Sequence, residues 1–169
     1  MKDYSIKMQE NRTLKLLKGL AKDANNDIIL VGGSIFDIID DKEPKDYDIL
    51  NWTNKFKIYL EMRALIISDS LTAITYDLDG SIIQLLKTKQ ENFHFTIASN
   101  SSYKIISGTL NLDISYVNKM LIPTKWDKET LIDCLYMLPK WQAKGFTINP
   151  ITYSSIIEEI TGVCHVNHS

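Results

Sequence analysis

Apolar residues cluster in short groups along the chain, and their spacing switches between the period of a helix and that of a strand. Over residues 9–23, Leu14, Leu17, Leu20 and Ala21 recur at helical intervals among Lys15, Lys18 and Lys22. That spacing predicts an amphipathic helix ended by Asn25-Asn26-Asp27. Ile28 to Val31 is a short β-branched run, suited to a strand buried on both faces. Gly32-Gly33 follows, with Ser34 placed to cap a short helix. Asp40-Asp41-Lys42-Glu43-Pro44 reads as a loop, and Lys45-Asp46-Tyr47-Asp48-Ile49-Leu50 as a second strand. Side chains alternate along a strand, so Asp46 and Asp48 are expected on one side, with Tyr47 and Ile49 on the other.

The pattern continues with a helix over 54–67, broken at Ser68 to Ser70. Two strands over 73–77 and 81–86 follow, joined by Leu78-Asp79-Gly80. Asp-Gly favours a tight hairpin turn, which makes Asp77 and Asp79 turn residues, with Asp77 a fallback carboxylate. Residues 93–98 and 103–107 read as two more strands, turned at Asn100-Ser101-Ser102. From 109 the spacing of Leu112, Tyr116, Met120 and Leu121 reads as helical or irregular. Asp127 is a good cap for a helix to about 143, in which Pro139 should kink or end the tight part. A last helix over 153–161 stops at Gly162.

The 169 residues suit one domain with a small appendage, and their 44% hydrophobic content is ordinary for a globular protein. The net charge of −2 supplies no global basic field for nucleic acid. Arg12 and Arg63 are the only arginines, so phosphate contacts would fall largely to lysines. Cys134 and Cys164 form no Cys-x-x-Cys pair and read as thiols of a reducing compartment. The terminal Cys164-His165-Val166-Asn167-His168 reads as a tail rather than a metal site. The polar start and the lack of an 18-residue apolar run imply a cytoplasmic protein with no membrane partner.

The chemistry concentrates between residues 28 and 50. A strand ending in two glycines lets bare backbone approach a ligand, and a following helix turns free N–H groups toward the same spot, which makes a phosphate seat. Paired carboxylates on the next strand suit Mg²⁺, a hard cation often shared with substrate phosphates. A phosphate seat beside such a pair is the apparatus of phosphoryl or nucleotidyl transfer.

Gly32-Gly33-Ser34 with Asp37 close behind, then Pro44-Lys45-Asp46-Tyr47-Asp48-Ile49, resembles the head-domain signature of the polymerase-β-like nucleotidyltransferase superfamily. The branch it resembles most holds the class II tRNA CCA-adding enzymes and bacterial poly(A) polymerases. Gly80-Ser81-Ile82-Ile83-Gln84-Leu85-Leu86 resembles the next core strand, and Phe93-His94-Phe95-Thr96-Ile97 resembles an Asp-Phe-Thr-Ile-Asn motif. Lys140-Trp141-Gln142-Ala143-Lys144-Gly145-Phe146 resembles a basic helix end of short phage-type members. Phe36 stands where the pattern has arginine, His94 where it has aspartate, and Gln84 where many members have a third carboxylate.

The resemblance implies an α+β fold: a small mixed β-sheet with flanking helices over 1–108, and a mostly helical extension over 109–169 packed on it. It implies Asp46 and Asp48 as catalytic, metal-binding residues for Mg²⁺, in a site with room for two metal ions. It implies nucleoside triphosphate contacts from Gly32, Gly33, Ser34, Asp37, Lys45 and His94. A neutral His94 would supply a hydrogen bond; its other reading is structural. The implied reaction moves a nucleoside monophosphate to an acceptor hydroxyl, on an RNA 3′ end or elsewhere. A lysine patch of Lys87, Lys89, Lys140 and Lys144, or a protein partner, would help to hold RNA. The alternative is a nucleotide-binding or interaction module that retains the fold without the activity.

Overall fold

A computed structural model of the protein describes residues 4–90, 93–106, 109–113 and 119–163. The chain forms two compact units, one over Met1–Gln90 and Ser101–Ile114, the other over Glu91–Asn100 and Ser115–Ser169.

The first unit begins with helices α1 (Ser5–Glu10) and α2 (Arg12–Asp23). The single helix expected over 9–23 is thus two, because the Asn11 side chain accepts from the Leu14 N–H at 2.9 Å and starts α2 afresh. Strand β1 (Ile28–Val31), helix α3 (Gly33–Ile39) and strand β2 (Tyr47–Leu50) follow as the pattern predicts. The cap of α3 differs from the expectation: Gly32, not Ser34, holds the N-cap position. Helix α4 (Asn54–Glu61) stops six residues short of the expected 67. Leu65 to Asp69 instead form strand β3, since β-branched Ile66 and Ile67 suit an extended ladder better than a helix. Strands β4 (Ala73–Leu78) and β5 (Ser81–Leu86) form the predicted hairpin. Both its central residues are left-handed, Asp79 at φ 52° and Gly80 at φ 91°. Asp77 Oδ1 accepts from Gly80 N–H at 2.8 Å, which fixes Asp77 as a turn residue.

Strands β6 (Ser102–Ile106) and β7 (Thr109–Asp113) complete the sheet. The start of the segment expected to be helical from 109 is therefore a strand, paired antiparallel along β6 from Ile106↔Thr109 to Ser102↔Asp113. Tyr116 and the tail from Cys164 to His168 lie outside the described residues.

Among the described residues the sheet has seven strands in the order β3-β4-β5-β2-β1-β6-β7, with β2 and β5 parallel and the other neighbours antiparallel. One face carries Leu30, Tyr47, Ile49, Ile74, Tyr76, Ile83, Leu85, Tyr103 and Ile105, all buried in a single core. Helices α1 to α4 close that core with Met8, Leu14, Leu17, Leu20, Ile35, Ile38, Phe56 and Leu60. Burial of this many apolar side chains is the main force holding the unit together.

In the second unit, α5 (Thr96–Asn100) takes the place of the strand expected over 93–98, and only Phe95 makes a β-bridge, to Pro123. Helix α6 (Lys128–Ala143) starts at Asp127, whose carboxylate accepts from Thr130 N–H at 2.9 Å. Pro139 lies inside α6, which runs on to Ala143 rather than ending there. Helix α7 (Pro150–Thr161) stops at left-handed Gly162, as predicted.

Candidate active site

The carboxylates follow from the alternation of β2. Tyr47 and Ile49 are 1% and 0% exposed on the core face. Asp46, just before the strand, and Asp48 within it are half-buried on the other. Alternation about Tyr47 thus puts both acids on one side.

The glycine turn is brought to the same place by register. Val31 lies opposite Asp48 in the β1–β2 ladder, and Gly32 is the next residue after Val31. Gly32 has φ 82° and ψ −159°, a conformation open essentially to glycine alone. A Cβ built there would stand 2.9 Å from Asp48 Oδ2, closer than real side chains approach. Asp48 Oδ1 is shielded from solvent. The carboxylate therefore leans over bare backbone, in a cradle that any other residue would fill.

The same face continues across the sheet. Asp48 is in register with Gln84 of β5, and Gln84 with Thr75 of β4. On the other flank Val31 is in register with Ser102 of β6. Residues in register share a face, so Ser102, Asp48, Gln84 and Thr75 form a mostly polar row across the sheet. Among the described residues no group of three or more His, Cys, Asp or Glu side chains is placed to hold a metal ion. The donor set at this point is two carboxylates, with the Gln84 amide in register with one of them. That set suits Mg²⁺, which commonly takes one or two carboxylates and fills its octahedron with water and substrate phosphate.

The other expected contacts divide. Gly33 is half-buried and begins α3 one residue after Gly32. Ser34 is buried, and its hydroxyl points back at the Val31 carbonyl, 3.5 Å away. Asp37 is buried on α3, and Lys45 is exposed before Asp46. Phe36 is 1% exposed, so the residue standing at the arginine position of the resembled pattern is a buried apolar one. His94 belongs to the second unit. There its Nδ1 lies 3.8 Å from Asp133 Oδ2, and its carbonyl accepts from Thr124 N–H at 2.8 Å and Cys134 Sγ at 3.3 Å. Lys87 holds Asp69 at 2.6 Å and the Ser70 carbonyl at 2.7 Å, so it serves its own hairpin rather than standing out as a basic point.

One positioning residue was hidden in the polar run after α2. Asn26 is 8% exposed. Its Nδ2 donates to the Asn51 carbonyl at 3.0 Å, and its Oδ1 accepts from Thr53 N–H at 2.8 Å and Thr53 Oγ1 at 3.0 Å. These bonds tie the lead-in of β1 to the exit of β2, and so help to hold the two strands whose register makes the site. A sequence signal existed only in that asparagine suits buried loop backbone with both donors and an acceptor.

No protein-family model and no curated protein matches the chain. Solved structures do. A Thermotoga maritima CCA-adding enzyme complexed with tRNA superposes with a TM-score of 0.70 at 17% identity, over 95% of this chain and 46% of that one. A CCA-adding enzyme in complex with ATP gives 0.72 at 16% identity, again over 95% and 46%. A tRNA-processing enzyme in its apo form gives 0.65 at 13% identity, over 89% and 48%. The chain spans about half the length of these structures. What it shares with them is the nucleotidyltransferase fold.

Proposed function

We propose that this chain is a metal-dependent nucleotidyltransferase, which moves a nucleoside monophosphate from a nucleoside triphosphate to an acceptor hydroxyl. The observation that carries the reading is the approach of Asp48 Oδ2 to the bare Gly32 backbone, with Asp46 on the same side of β2. The nucleotidyltransferase fold supports it, as do ATP and tRNA in the complexes of the CCA-adding enzymes described above.

On this reading the Gly32-Gly33 turn receives the triphosphate through backbone N–H groups, where the missing side chains let phosphate oxygens come close. Asp46 and Asp48 hold Mg²⁺, and Gln84 adds a neutral oxygen or an N–H beside Asp48. Bound Mg²⁺ would supply Lewis-acid stabilisation of the transferring phosphoryl group and of the attacking oxygen. The chain's own part is to fix the α-phosphate and acceptor in line, which is where most of such a rate enhancement arises. Ser34, Asp37 and Lys45 are assigned to support the turn and the approach to it: the buried Ser34 hydroxyl through the Val31 carbonyl, Asp37 from within α3, Lys45 from the surface. RNA is assigned as the acceptor class, on the support of the tRNA bound to the Thermotoga maritima CCA-adding enzyme, and the protein is assigned to the cytoplasm.

The second reading is a nucleotide-binding module without turnover. It is favoured by one observation, the neutral Gln84 in register with Asp48, where a third carboxylate would raise the affinity for metal.

The test is pyrophosphate release from each of the four nucleoside triphosphates with Mg²⁺ or Mn²⁺, alongside equilibrium binding of the same nucleotides. Transfer activity lost in Asp46→Asn and Asp48→Asn, with folding intact, supports the enzyme. Binding that survives both substitutions with no pyrophosphate released from any nucleotide would reject it and leave the module.

A further inference from the structure

On the helix side of the sheet, a cavity of about 270 Å³ opens between α1, α2 and β6. Met8, Leu14 and Ile105 line it, and all of them are buried members of the core. Lys15 and Lys18 line it too, one turn apart on the exposed side of α2. Protein interiors are close-packed, so an opening of this size is not mere slack between side chains. A cavity of about 150 Å³ lined by apolar side chains is enough to take benzene, so this one has room for a somewhat larger organic body.

Tyr103 also lines this cavity and is 2% exposed. Tyr47, Tyr76 and Tyr103 all lie buried on the core face of the sheet, but their hydroxyls differ in partners. The Tyr47 hydroxyl accepts from Asn11 Nδ2 at 3.2 Å, and the Tyr76 hydroxyl donates to Glu61 at 2.7 Å. The Tyr103 hydroxyl has no hydrogen-bond partner among the described residues. Burial pushes its pKa up to about 12, so at neutral pH it keeps its proton and is a donor without an acceptor. Buried polar groups are rarely left unbonded, so this one points to an acceptor supplied from outside the chain. Lys15 and Lys18 likewise join none of the ion pairs found among the described residues.

We propose that this cavity binds a small organic anion, with an apolar body against Met8, Leu14 and Ile105 and a carboxylate or phosphate head held by Lys15, Lys18 and the Tyr103 hydroxyl. Each part of the lining matches one part of that ligand. The flexible thioether of Met8 adapts to the shape of an apolar body. Lysine stems lie along apolar surface while their ammonium heads stay in water at the mouth, where an anionic head would meet them. A neutral ligand would use the apolar lining alone, and a cation would be repelled by both lysines. The cavity is separate from the candidate active site. Tyr103 is in register with Leu30 on the core face, whereas Asp46 and Asp48 lie on the other side of β2. Binding here therefore does not rest on the nucleotidyl transfer proposed above.

Amide NMR of the isotope-labelled full chain, titrated with octanoate, octyl phosphate and neutral 1-octanol, tests this. Either anion is expected to give saturable shifts of amides in α2 and β6, and the tighter of the two identifies the head. The neutral alcohol is expected to bind at least ~5-fold more weakly than that anion, the worth of about one hydrogen bond. The double variant Lys15→Ala/Lys18→Ala, changed at exposed side chains, is expected to keep its Tm and to bind the anion about 5–10-fold more weakly, with the alcohol unaffected. Tyr103→Phe removes a hydroxyl that bonds nothing in the free protein. Its Tm is expected to be no lower than that of the wild type, while its affinity for the anion falls about 5-fold. No saturable shift in α2 and β6 with either anion up to ~10 mM, a limit that covers very weak binding, overturns the proposal. So does anion binding that the lysine variant leaves intact, since the head is then not held as described. A Tyr103→Phe protein of lower Tm and unchanged affinity also overturns it, because the hydroxyl would then serve the fold rather than a ligand.

Discussion

Replacing Gly32 with alanine tests the site and the fold together, because one methyl group meets two separate obstacles. The backbone at φ 82°, ψ −159° lies in a region that residues with a Cβ enter at a cost of about 1–3 kcal/mol. The methyl would also stand 2.9 Å from Asp48 Oδ2, so either the carboxylate turns away or β1 and β2 separate. Gly19 is the matched control. It lies on the exposed side of α2 with nothing within 4 Å of an added Cβ. Alanine there relieves the helix penalty of glycine, worth about 0.8–1.0 kcal/mol. A chain of this size moves its Tm by roughly 2–4 °C per kcal/mol. Thermal unfolding should therefore show Gly32→Ala lower by about 4–8 °C, for a mid-range cost of ~2 kcal/mol, and Gly19→Ala higher by about 2–4 °C. At 20 °C, with both variants folded, Gly32→Ala should also lose transfer activity and Gly19→Ala should keep it. A Gly32→Ala protein as stable as the Gly19→Ala one would refute the reasoning. It would mean that the turn and the carboxylate are not held against each other as described.

Three further outcomes follow from other parts of the molecule. Asn26→Ala leaves Thr53 N–H and the Asn51 carbonyl without their partner, so unfolding in urea should show a loss of about 2–3 kcal/mol. The Glu61 carboxylate is held below its usual range, first by the Tyr76 hydroxyl at 2.7 Å and then by Lys57. Its folded pKa is depressed, so the stabilisation is present above the unfolded value and is lost as pH falls through the folded one. The stability advantage of wild type over Glu61→Gln should be present at pH 7 and fade as pH falls below the ordinary glutamate range, staying under ~1 kcal/mol because these groups are screened by solvent. Burial pushes the Cys134 thiol up to about 12, helped by the charges of Asp133 and Asp127. Peptide mapping after iodoacetamide treatment at pH 8 should find Cys134 unmodified in the native protein and alkylated once urea unfolds it; rapid native labelling would contradict its burial.

The stretch from Ile28 to Leu50 was legible because local rules and tertiary structure agree there. The apolar run, the glycines and the alternating acids each need only near neighbours to be read. The hairpin at Asp79-Gly80 was legible for the same reason. The errors sit where a distant partner decides. Ile66 and Ile67 read as the end of a helix, and become a strand only because β4 offers a ladder. Thr109 to Asp113 likewise depends on β6. Thr96 to Ala98 looks like a strand by composition, yet Thr96 N–H bonds the Ile122 carbonyl and α5 begins there. Gln84 could be named from the sequence, but its place beside Asp48 came only with the parallel register of β2 and β5.

That register also explains why the core and the candidate site cannot be altered independently. Tyr47 and Ile49 anchor β2 in the core, and the same pleat turns Asp46 and Asp48 to the other face. A slip of β2 by one residue would bury the carboxylates and expose Tyr47 and Ile49, so the hydrophobic face enforces the position of the acids. Asn26 acts in the same direction from outside the strands, since it ties the entry of β1 to the exit of β2. The approach of Asp48 to Gly32 is therefore held by burial on one side of the sheet and by a buried amide at its end. Shortening Ile49 to alanine, far from any phosphate on the core face, should loosen that approach and weaken nucleotide binding beyond what the lost stability alone accounts for.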